Sequence, residues 1–230
     1  MKKRILITGA NGLVGDELIR QLHNICDLIA IDLSNSNIKE YDNKINYFDI
    51  NICDTNKLEP LFQDNIDYVV HLAAKVHESP KNKKDEIQFY RINTESTRNI
   101  FELSLKYKIK KIIFLSTIAV YGKQTGPLNE LTETNPITIY AKSKYEAEKI
   151  GLKMVKEKNL PLYILRSATI YGKYERGNYK NLIRLSRKKI NIIPGKGENF
   201  KPVIYVKDVV GIIREILFNK SLPFGEIINI

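Results

Sequence analysis

The sequence predicts an α/β fold built on a doubly wound parallel sheet. Short β-branched runs alternate with longer amphipathic stretches along most of the chain. The runs are almost continuously apolar, as strands buried on both faces of a parallel sheet are. A glycine-rich turn, Thr8–Gly15, joins the first strand to the first helix. These observations favour a large domain whose sheet is covered by helices on both faces.

Each predicted element follows from its own pattern. The strands are apolar runs bounded by turn residues, and the helices repeat apolar residues at helical spacing. In chain order the strands are Lys3–Thr8, Leu28–Asp32, Ile45–Asp49, Tyr68–Ala73, Lys111–Ser116, Leu162–Arg166, Asn191–Ile193, Val203–Val206 and Glu226–Ile230. The helices are Leu13–Leu22, Asp54–Phe62 with Asp54 as its cap, Asp85–Tyr107, Tyr140–Lys158, Asn178–Lys189 and Val206–Phe218.

Composition narrows the class of protein. Lys and Arg number 37 against 26 Asp and Glu, which gives a formal net charge of +11. The basic clusters have no aromatic residues between them, so we expect no nucleic-acid partner. No stretch approaches the length of a membrane span, and we expect no membrane partner. Cys26 and Cys53 lack metal spacing, so neither a disulfide framework nor a metal site is expected, and the expected location is cytoplasmic.

Gly9, Gly12 and Gly15 directly follow a strand and open a helix. Glycine permits a tight turn and a close approach of the backbone to a pyrophosphate. The helix N-terminus adds free N–H groups and a partial positive charge. The turn therefore predicts a dinucleotide-binding site.

Asp32 ends the second strand, near the spacing at which a carboxylate accepts bonds from a ribose diol. A carboxylate there would repel a 2′-phosphate, which favours NAD over NADP. Asp49 and Ile50 follow the third strand and could hold the adenine, although Asp49 could also simply end that strand.

Tyr140 and Lys144 stand four residues apart on a predicted helix and share one face. Alone, they would equally suit an ordinary surface pair. A free tyrosine has a pKa of about 10, and a nearby ammonium is expected to lower the pKa of Tyr140. Thr117 ends an apolar run and supplies a hydroxyl to orient a substrate oxygen. Together with the glycine turn, these residues predict hydride transfer to or from a carbinol carbon.

Taken in order, these pieces resemble an extended short-chain dehydrogenase/reductase of the NAD-dependent nucleoside-diphosphate-sugar epimerase/dehydratase group. The resemblance covers essentially the whole chain and implies a Rossmann-type sheet, bound NAD and a sugar-nucleotide substrate. The matching pieces are Thr8–Gly15, Asp32, Asp49–Ile50, His71–Ala74, Asn93, Ser116–Thr117, Val120–Gly122, Tyr140–Lys144, Leu165–Arg166, Tyr171–Gly172 and Val206–Asp208.

The resemblance also implies roles for individual residues. Tyr140 would be the acid/base, Lys144 its partner, and Thr117 a catalytic and substrate-binding hydroxyl. Asn93 would steady the strand that carries Thr117. The cofactor contacts would come from Gly9, Asn11, Gly12, Leu13, Val14, Gly15, Asp32, Asp49, Ile50, Leu72, Ala73, Ala74, Asn93, Tyr140 and Lys144. Other substrate contacts would be Thr169, Asn178 and Lys201, although a solvated role suits Asn178 and Lys201 equally.

The reaction implied is inversion at C4 of the sugar, by removal of a hydride and its return to the opposite face. In dehydratases of the group an Asp-Glu pair follows the catalytic Thr, whereas here Ile118 and Ala119 follow it. This disfavours 4,6-dehydration and decarboxylation. A 4-keto reductase and a non-catalytic NAD-binding scaffold remain alternatives. Thr169 departs from the group's usual Asn, and Lys173 follows Tyr171–Gly172 without a proline.

The histidines carry weaker signals. His71 follows a buried strand and is interpreted as a packed core residue. His77 lies in a run that resembles members acting on N-acetylated sugar nucleotides, although a loop role is equally plausible. His23 is interpreted as a helix-end residue.

Two parts are predicted because the regularity weakens after Gly172. Residues 1–172 form the NAD-binding domain, and residues 173–230 form a partial substrate-binding lobe interleaved with the sheet. The last strand has nothing after it, so the lobe is expected to be truncated or unusually short. By resemblance, a homodimer is expected through the helices at 85–107 and 140–158.

Overall fold

A seven-stranded parallel sheet dominates the described part of the chain. The computed structural model describes residues 2–33, 45–76, 80–124, 126–173, 200–219 and 222–230. The sheet order is β3-β2-β1-β4-β5-β6-β9, and β7 pairs with β8 separately. The strands are β1 (Arg4–Thr8), β2 (Asp27–Asp32), β3 (Asn46–Asp49), β4 (Tyr68–His71), β5 (Lys111–Thr117), β6 (Leu162–Ser167), β7 (Thr169–Tyr171), β8 (Val203–Tyr205) and β9 (Ile227–Asn229).

Helices cover both faces of this sheet. A π-helical turn, Arg91–Glu95, joins two helices that the sequence predicts as one, and a 3₁₀ turn, Ile118–Tyr121, follows β5. The α-helices are α1 (Leu13–Leu22), α2 (Thr55–Phe62), α3 (Lys83–Tyr90), α4 (Ser96–Lys106), α5 (Ile139–Lys158) and α6 (Val206–Phe218).

The core consists of two apolar layers, one on each face of the sheet. Alternate residues of β1 point to opposite faces, so Ile5 and Ile7 pack with α1 and α6, whereas Leu6 packs with α2, α4 and α5. The doubly wound fold is therefore confirmed. The strand order reverses between β1 and β4, and open α/β sheets bind ligands beyond the carboxyl ends of the strands at such a point.

The C-terminal residues join this sheet. β9 pairs in parallel with β6, and the Ile230 N–H donates to the carbonyl of Arg166 at 3.0 Å. Helix α6 packs against α1 on one face. The predicted elements at 178–189 and 191–193, together with Asn178 and His77, lie outside the described residues, and the division at residue 172 stays a prediction.

Predicted and observed strand bounds agree to within two residues in the described ranges. The short strand β7 is an addition, because its three residues give too short an apolar run to be predicted. Among the described residues, no helix combines the length and the apolar character needed to cross a membrane.

Candidate active site

The turn between β1 and α1 leaves no room for side chains at two of its glycines. Gly9 has φ +70°, and a Cβ added there would lie 2.6 Å from the amide nitrogen of Ala73. A Cβ on Gly15 would lie 2.4 Å from the carbonyl oxygen of Gly9. Helix α1 begins after Gly12, which offers no side-chain cap. The first-turn N–H groups therefore face the end of the sheet without a side-chain acceptor at the N-cap.

Asp32 connects this turn to the end of β2. One carboxylate oxygen accepts from the Asn11 N–H at 2.8 Å, and the other accepts from the Leu33 N–H at 2.7 Å. The carboxylate is thus held at the edge of the turn while the residue stays partly exposed. A diphosphate fits the helix N-terminus and a ribose diol fits this acceptor, so these residues suit a dinucleotide.

Asp49 and Ile50 lie beside Asp32. Asp49 pairs with Asp32 in the register of β2 and β3, and the Ile50 N–H donates to the Asp32 carbonyl at 3.1 Å. The Tyr47 hydroxyl also donates to that carbonyl, at 3.2 Å. Asp49 is exposed and Ile50 is partly buried, so both stand beside Asp32 at the carboxyl ends of β2 and β3.

His71 lies in a buried hydrogen-bond chain beneath the turn. Its Nε2 is 2.8 Å from the Thr97 hydroxyl, which itself donates to the carbonyl of Asn93. Thr97 must therefore accept from Nε2–H, and Nδ1 accepts from the Thr8 hydroxyl at 2.6 Å. Burial and then the charge of Lys144 hold the pKa of His71 well below its ordinary value. This geometry agrees with the interpretation of His71 as a packed core residue.

The Leu72–Ala74 segment continues from β4 along the turn. The Leu72 N–H donates to the Thr8 carbonyl at 3.1 Å, and the Ala73 N–H donates to the Thr8 hydroxyl at 3.3 Å. All three residues of the segment are partly exposed. The structure therefore places Leu72 and Ala73 next to Gly9.

Tyr140 and Thr117 meet at the carboxyl end of β5. Helix α5 begins at Ile139, where the Thr138 hydroxyl accepts from the Ala141 N–H, so Tyr140 stands in the first turn. Burial raises the pKa of Tyr140 to about 12. Thr117 lies close enough to Tyr140 to act in the opposite direction and lower the pKa of the phenol. The phenol is neutral in this state.

Lys144 is 1% exposed, one helical turn beyond Tyr140. Burial lowers the pKa of Lys144 to about 7, against the charge of Glu148, which raises it. The expectation that Lys144 lowers the pKa of Tyr140 is wrong for this state. Tyr140 is partly buried and Lys144 is fully buried, and desolvation disfavours the charged form of each.

Asn93 lies in the π-helical turn, and its partners differ from those expected. Its side-chain oxygen accepts from the Lys75 N–H at 2.8 Å, and its amide donates to the Lys75 carbonyl at 3.1 Å. The same amide donates to the Ser143 hydroxyl at 3.0 Å. Asn93 therefore fixes the loop after β4 against α5, whereas the sequence predicts that it steadies the strand carrying Thr117.

The expected substrate contacts lie at the second strand pair. Thr169 begins β7, is partly buried, and donates its N–H to the Pro202 carbonyl at 3.3 Å. Lys201 is exposed, two residues before β8. The two residues therefore belong to neighbouring segments.

The chain matches the sequence model of the NAD dependent epimerase/dehydratase family over residues 5–230. It belongs to that family. The resemblance drawn from the motifs is thereby confirmed. Within the family, it is 31% identical to a dTDP-D-glucose 4,6-dehydratase of Dictyostelium discoideum over 99% of this chain and 57% of the relative. It is 28% identical to a UDP-glucose 4-epimerase of Vibrio cholerae over 93% of this chain and 66% of the relative.

Solved structures of family members share the fold. A UDP-glucuronic acid 4-epimerase from Bacillus cereus, solved with UDP-glucuronic acid and NAD, superposes with a TM-score of 0.86 at 28% identity. The alignment covers 99% of this chain and 77% of that structure. A dTDP-glucose 4,6-dehydratase from Bacillus anthracis, solved with NAD, gives a TM-score of 0.84 at 26% identity, over 99% of this chain and 75% of that one. The chain thus spans about three quarters of these solved relatives, and 57% to 66% of the two curated ones.

The residue that sequence reasoning missed in this family member is Glu148. It lies fully buried on α5, where it pairs with Arg166 of β6, and the Ser116 hydroxyl donates to it. Its spacing carried a signal. Tyr140, Lys144 and Glu148 follow one another at intervals of four residues, so they share one face of the helix. Arg166 interrupts an otherwise apolar strand, which also indicates a buried partner.

Proposed function

We propose that this family member binds NAD and inverts C4 of a nucleoside-diphosphate sugar. The observation that carries the proposal is the proximity of Thr117 to Tyr140, with Lys144 buried one helical turn beyond Tyr140. This hydroxyl pair lies at the carboxyl end of β5, next to the strand whose following loop borders the glycine turn. The proposed proton-transfer residues and the glycine turn thus lie at one end of the sheet.

The cradle supports NAD as the cofactor. The helix N-terminus after Gly12 would hold the diphosphate, and Asp32 would accept the ribose diol. Asp49 and Ile50 would hold the adenine, and Leu72, Ala73 and Ala74 would border the nicotinamide ribose. When bound, NAD would supply the hydride acceptor for the sugar C4–H bond. A carboxylate at Asp32 favours NAD over NADP because a 2′-phosphate would be repelled.

The chain's own residues would move the proton of the C4 hydroxyl. Thr117 would orient the sugar oxygen and share its proton with Tyr140. With a pKa of about 12, Tyr140 is a proton donor in the ligand-free state, which suits protonation of a 4-keto oxygen. Proton removal needs the phenolate, which a protonated Lys144 on the same face would stabilise.

The residues after Thr117 support epimerisation over dehydration. Ile118 and Ala119 begin the 3₁₀ turn, and the Ala119 N–H donates to the Thr117 hydroxyl at 3.2 Å. Neither side chain can carry a proton, whereas loss of the C6 hydroxyl needs a further acid and base. Relatives of this chain include both epimerases and dehydratases. The choice between the two reactions therefore rests on the side chains of Ile118 and Ala119. A 4-keto reductase would use the same Tyr140 and Thr117.

The remaining expectations stand as proposals. The substrate diphosphate would be contacted from Asn178 and Lys201, and the sugar from Thr169. Two copies would pair through the segments 85–107 and 140–158, the first of which presents the exposed side chain of Ile87. A monomeric mass in analytical ultracentrifugation would contradict this pairing.

The test is incubation of the purified protein with NAD and a panel of UDP-, dTDP- and GDP-sugars, followed by proton NMR of the sugar. We expect inversion at C4 for at least one substrate. A 4-keto-6-deoxy product would instead indicate a dehydratase, and NADH-dependent consumption of a 4-keto sugar would indicate a reductase. NAD binding with neither epimer nor keto sugar would support a scaffold and contradict the proposal.

A further inference from the structure

A buried ion pair joins α5 to β6 next to the proposed acid/base group. Glu148 is 0% exposed and Arg166 is 3% exposed. The guanidinium Nη2 lies 2.7 Å from Oε2 of Glu148, and Nε lies 3.2 Å from each carboxylate oxygen. This forked contact fixes the orientation of both planar groups. A buried ion pair often adds little to the stability of a protein. The residues that this pair contacts therefore indicate its role better than its contribution to stability does.

The pair holds both ends of the segment that carries Thr117. At one end, the Ser116 hydroxyl donates to Oε1 of Glu148. At the other end, Nη1 of Arg166 donates to the Tyr121 hydroxyl at 2.9 Å. Thr117 lies between these two contacts. The ion pair therefore fixes the position of Thr117 relative to α5, the helix that carries Tyr140.

The same carboxylate acts on Lys144. Glu148 lies one helical turn beyond Lys144, and its negative charge favours the ammonium form. The other titratable groups around Lys144 are Tyr140 on α5, His71 on β4 and Arg166 behind Glu148, while the Phe114 ring of β5 faces the ammonium. Within the part of the chain that the structure describes, Glu148 is therefore the carboxylate that acts on Lys144.

We infer that Glu148 is a positioning residue, which clamps the Thr117 segment to α5 through Ser116 and Arg166 and favours the ammonium form of Lys144. Its catalytic consequence rests on the proposed function. Its effect on Lys144 does not, because the protonation of Lys144 can be measured in the protein without cofactor or substrate.

The test is the variant Glu148→Gln, with Glu146→Gln as the matched control. Glu146 lies on the same helix and pairs with Lys149 at its surface. The side-chain ¹³Cε and ¹⁵Nζ signals of labelled lysines would be followed against pH, with Lys144 assigned from Lys144→Met. We expect the midpoint of Lys144 to fall by about one pH unit or more in Glu148→Gln and to stay unchanged in Glu146→Gln. An unchanged midpoint in Glu148→Gln would overturn the inference.

Two further variants keep the test decisive. If Glu148→Gln does not fold, the double variant Glu148→Gln with Arg166→Gln removes both buried charges. A smaller fall in the Lys144 midpoint is then expected, because loss of the Arg166 cation offsets part of the loss of the Glu148 charge. Glu148→Asp keeps the charge but shortens the reach to Ser116, so the midpoint should stay near that of the natural chain. If either variant gave a different midpoint, the claim that the charge of Glu148 acts on Lys144 would be contradicted.

Measuring turnover of the same variants against pH separates this inference from the proposed function. If C4 inversion occurs, its alkaline limb should move to lower pH in Glu148→Gln, because Lys144 loses its proton earlier. If no variant turns over any sugar nucleotide but the Lys144 midpoint falls as expected, the positioning role stands and the proposed function fails.

Discussion

The ammonium nitrogen of Lys144 lies 4.0 Å from the centroid of the Phe114 ring. A cation over an aromatic face is attracted by the ring quadrupole, which offsets part of the loss of water. Burial nevertheless lowers the pKa of Lys144 to about 7, so desolvation outweighs this contact and the charge of Glu148. The protonation of Lys144 therefore changes within the neutral pH range.

This titration predicts a pH-dependent stability. The unfolded chain keeps the Lys144 proton up to the ordinary lysine pKa of 10.5, whereas the folded chain loses it near pH 7. Between these values the unfolded state binds more protons, so Lys144 makes the free energy of unfolding rise with pH, by at most about 1.4 kcal/mol per unit. Lys144→Met should lack this contribution. In urea unfolding, the free energy of unfolding of the natural chain should therefore rise relative to that of Lys144→Met between about pH 7 and pH 10.

Lys142→Met provides the control for that measurement, because Lys142 is exposed on the same helix. Its unfolding curve should keep the pH dependence of the natural chain. Identical pH slopes for the natural chain and Lys144→Met would show that Lys144 has an ordinary pKa.

Tyr140→Phe should lower turnover by about a hundredfold or more, because general acid–base groups contribute on that scale. NAD binding, followed by calorimetry, should stay within about threefold, since the cradle around Gly9 does not involve the phenol. Tyr145→Phe is the matched control on α5, and its turnover should be unchanged. Full turnover in Tyr140→Phe would remove the phenol from the proton transfer.

Gly9→Ala should destabilise the protein by at least about 3 kcal/mol and abolish NAD binding. The reason is double, because φ at Gly9 is +70° and the added Cβ would overlap the backbone of Ala73. Gly126 also has a positive φ, but a Cβ there meets no atom within 4 Å. Gly126→Ala should therefore cost only about 1 kcal/mol in urea unfolding and leave NAD binding intact. Equal costs in the two variants would rule out the overlap as the cause.

His71 should remain neutral across the range in which ordinary histidines titrate. Its folded pKa lies below its unfolded one, so the unfolded chain alone takes up this proton as pH falls below about 6.5. His71 should therefore reduce stability toward acid pH, by at most about 1.4 kcal/mol per unit. In ¹⁵N NMR its signals should correspond to the Nε2–H tautomer and stay constant from about pH 8 to pH 5.5. A protonated Nδ1 in that range would contradict the chain from Thr8 to Thr97.

The sheet and the glycine turn could be predicted from local signals. Buried strands such as β4 and β5 are short apolar runs. Gly9 and Gly15 occupy positions where a Cβ atom would overlap the backbone. Tyr140 and Thr117 could be predicted as partners, because residues that follow successive strands of a parallel sheet meet at the same edge of that sheet.

The electrostatics of the site could not be predicted in the same way. The sign of the Tyr140 pKa shift depends on how much water the fold removes, and spacing to Lys144 carries no such information. Glu148 stands in the charged run Lys144–Lys149, where a solvated side chain is the ordinary expectation. The packing of α5 on β6 places it against Arg166.

The π-helical turn at Arg91–Glu95 has a consequence for engineering this chain. A π turn is equivalent to one extra residue inserted into an α-helix. Deleting one residue there would restore regular winding, and each residue of an α-helix corresponds to about 100° of rotation. Helix α3 would then turn its fully buried Phe89 out of the interior, so this part of the fold should tolerate changes of length poorly.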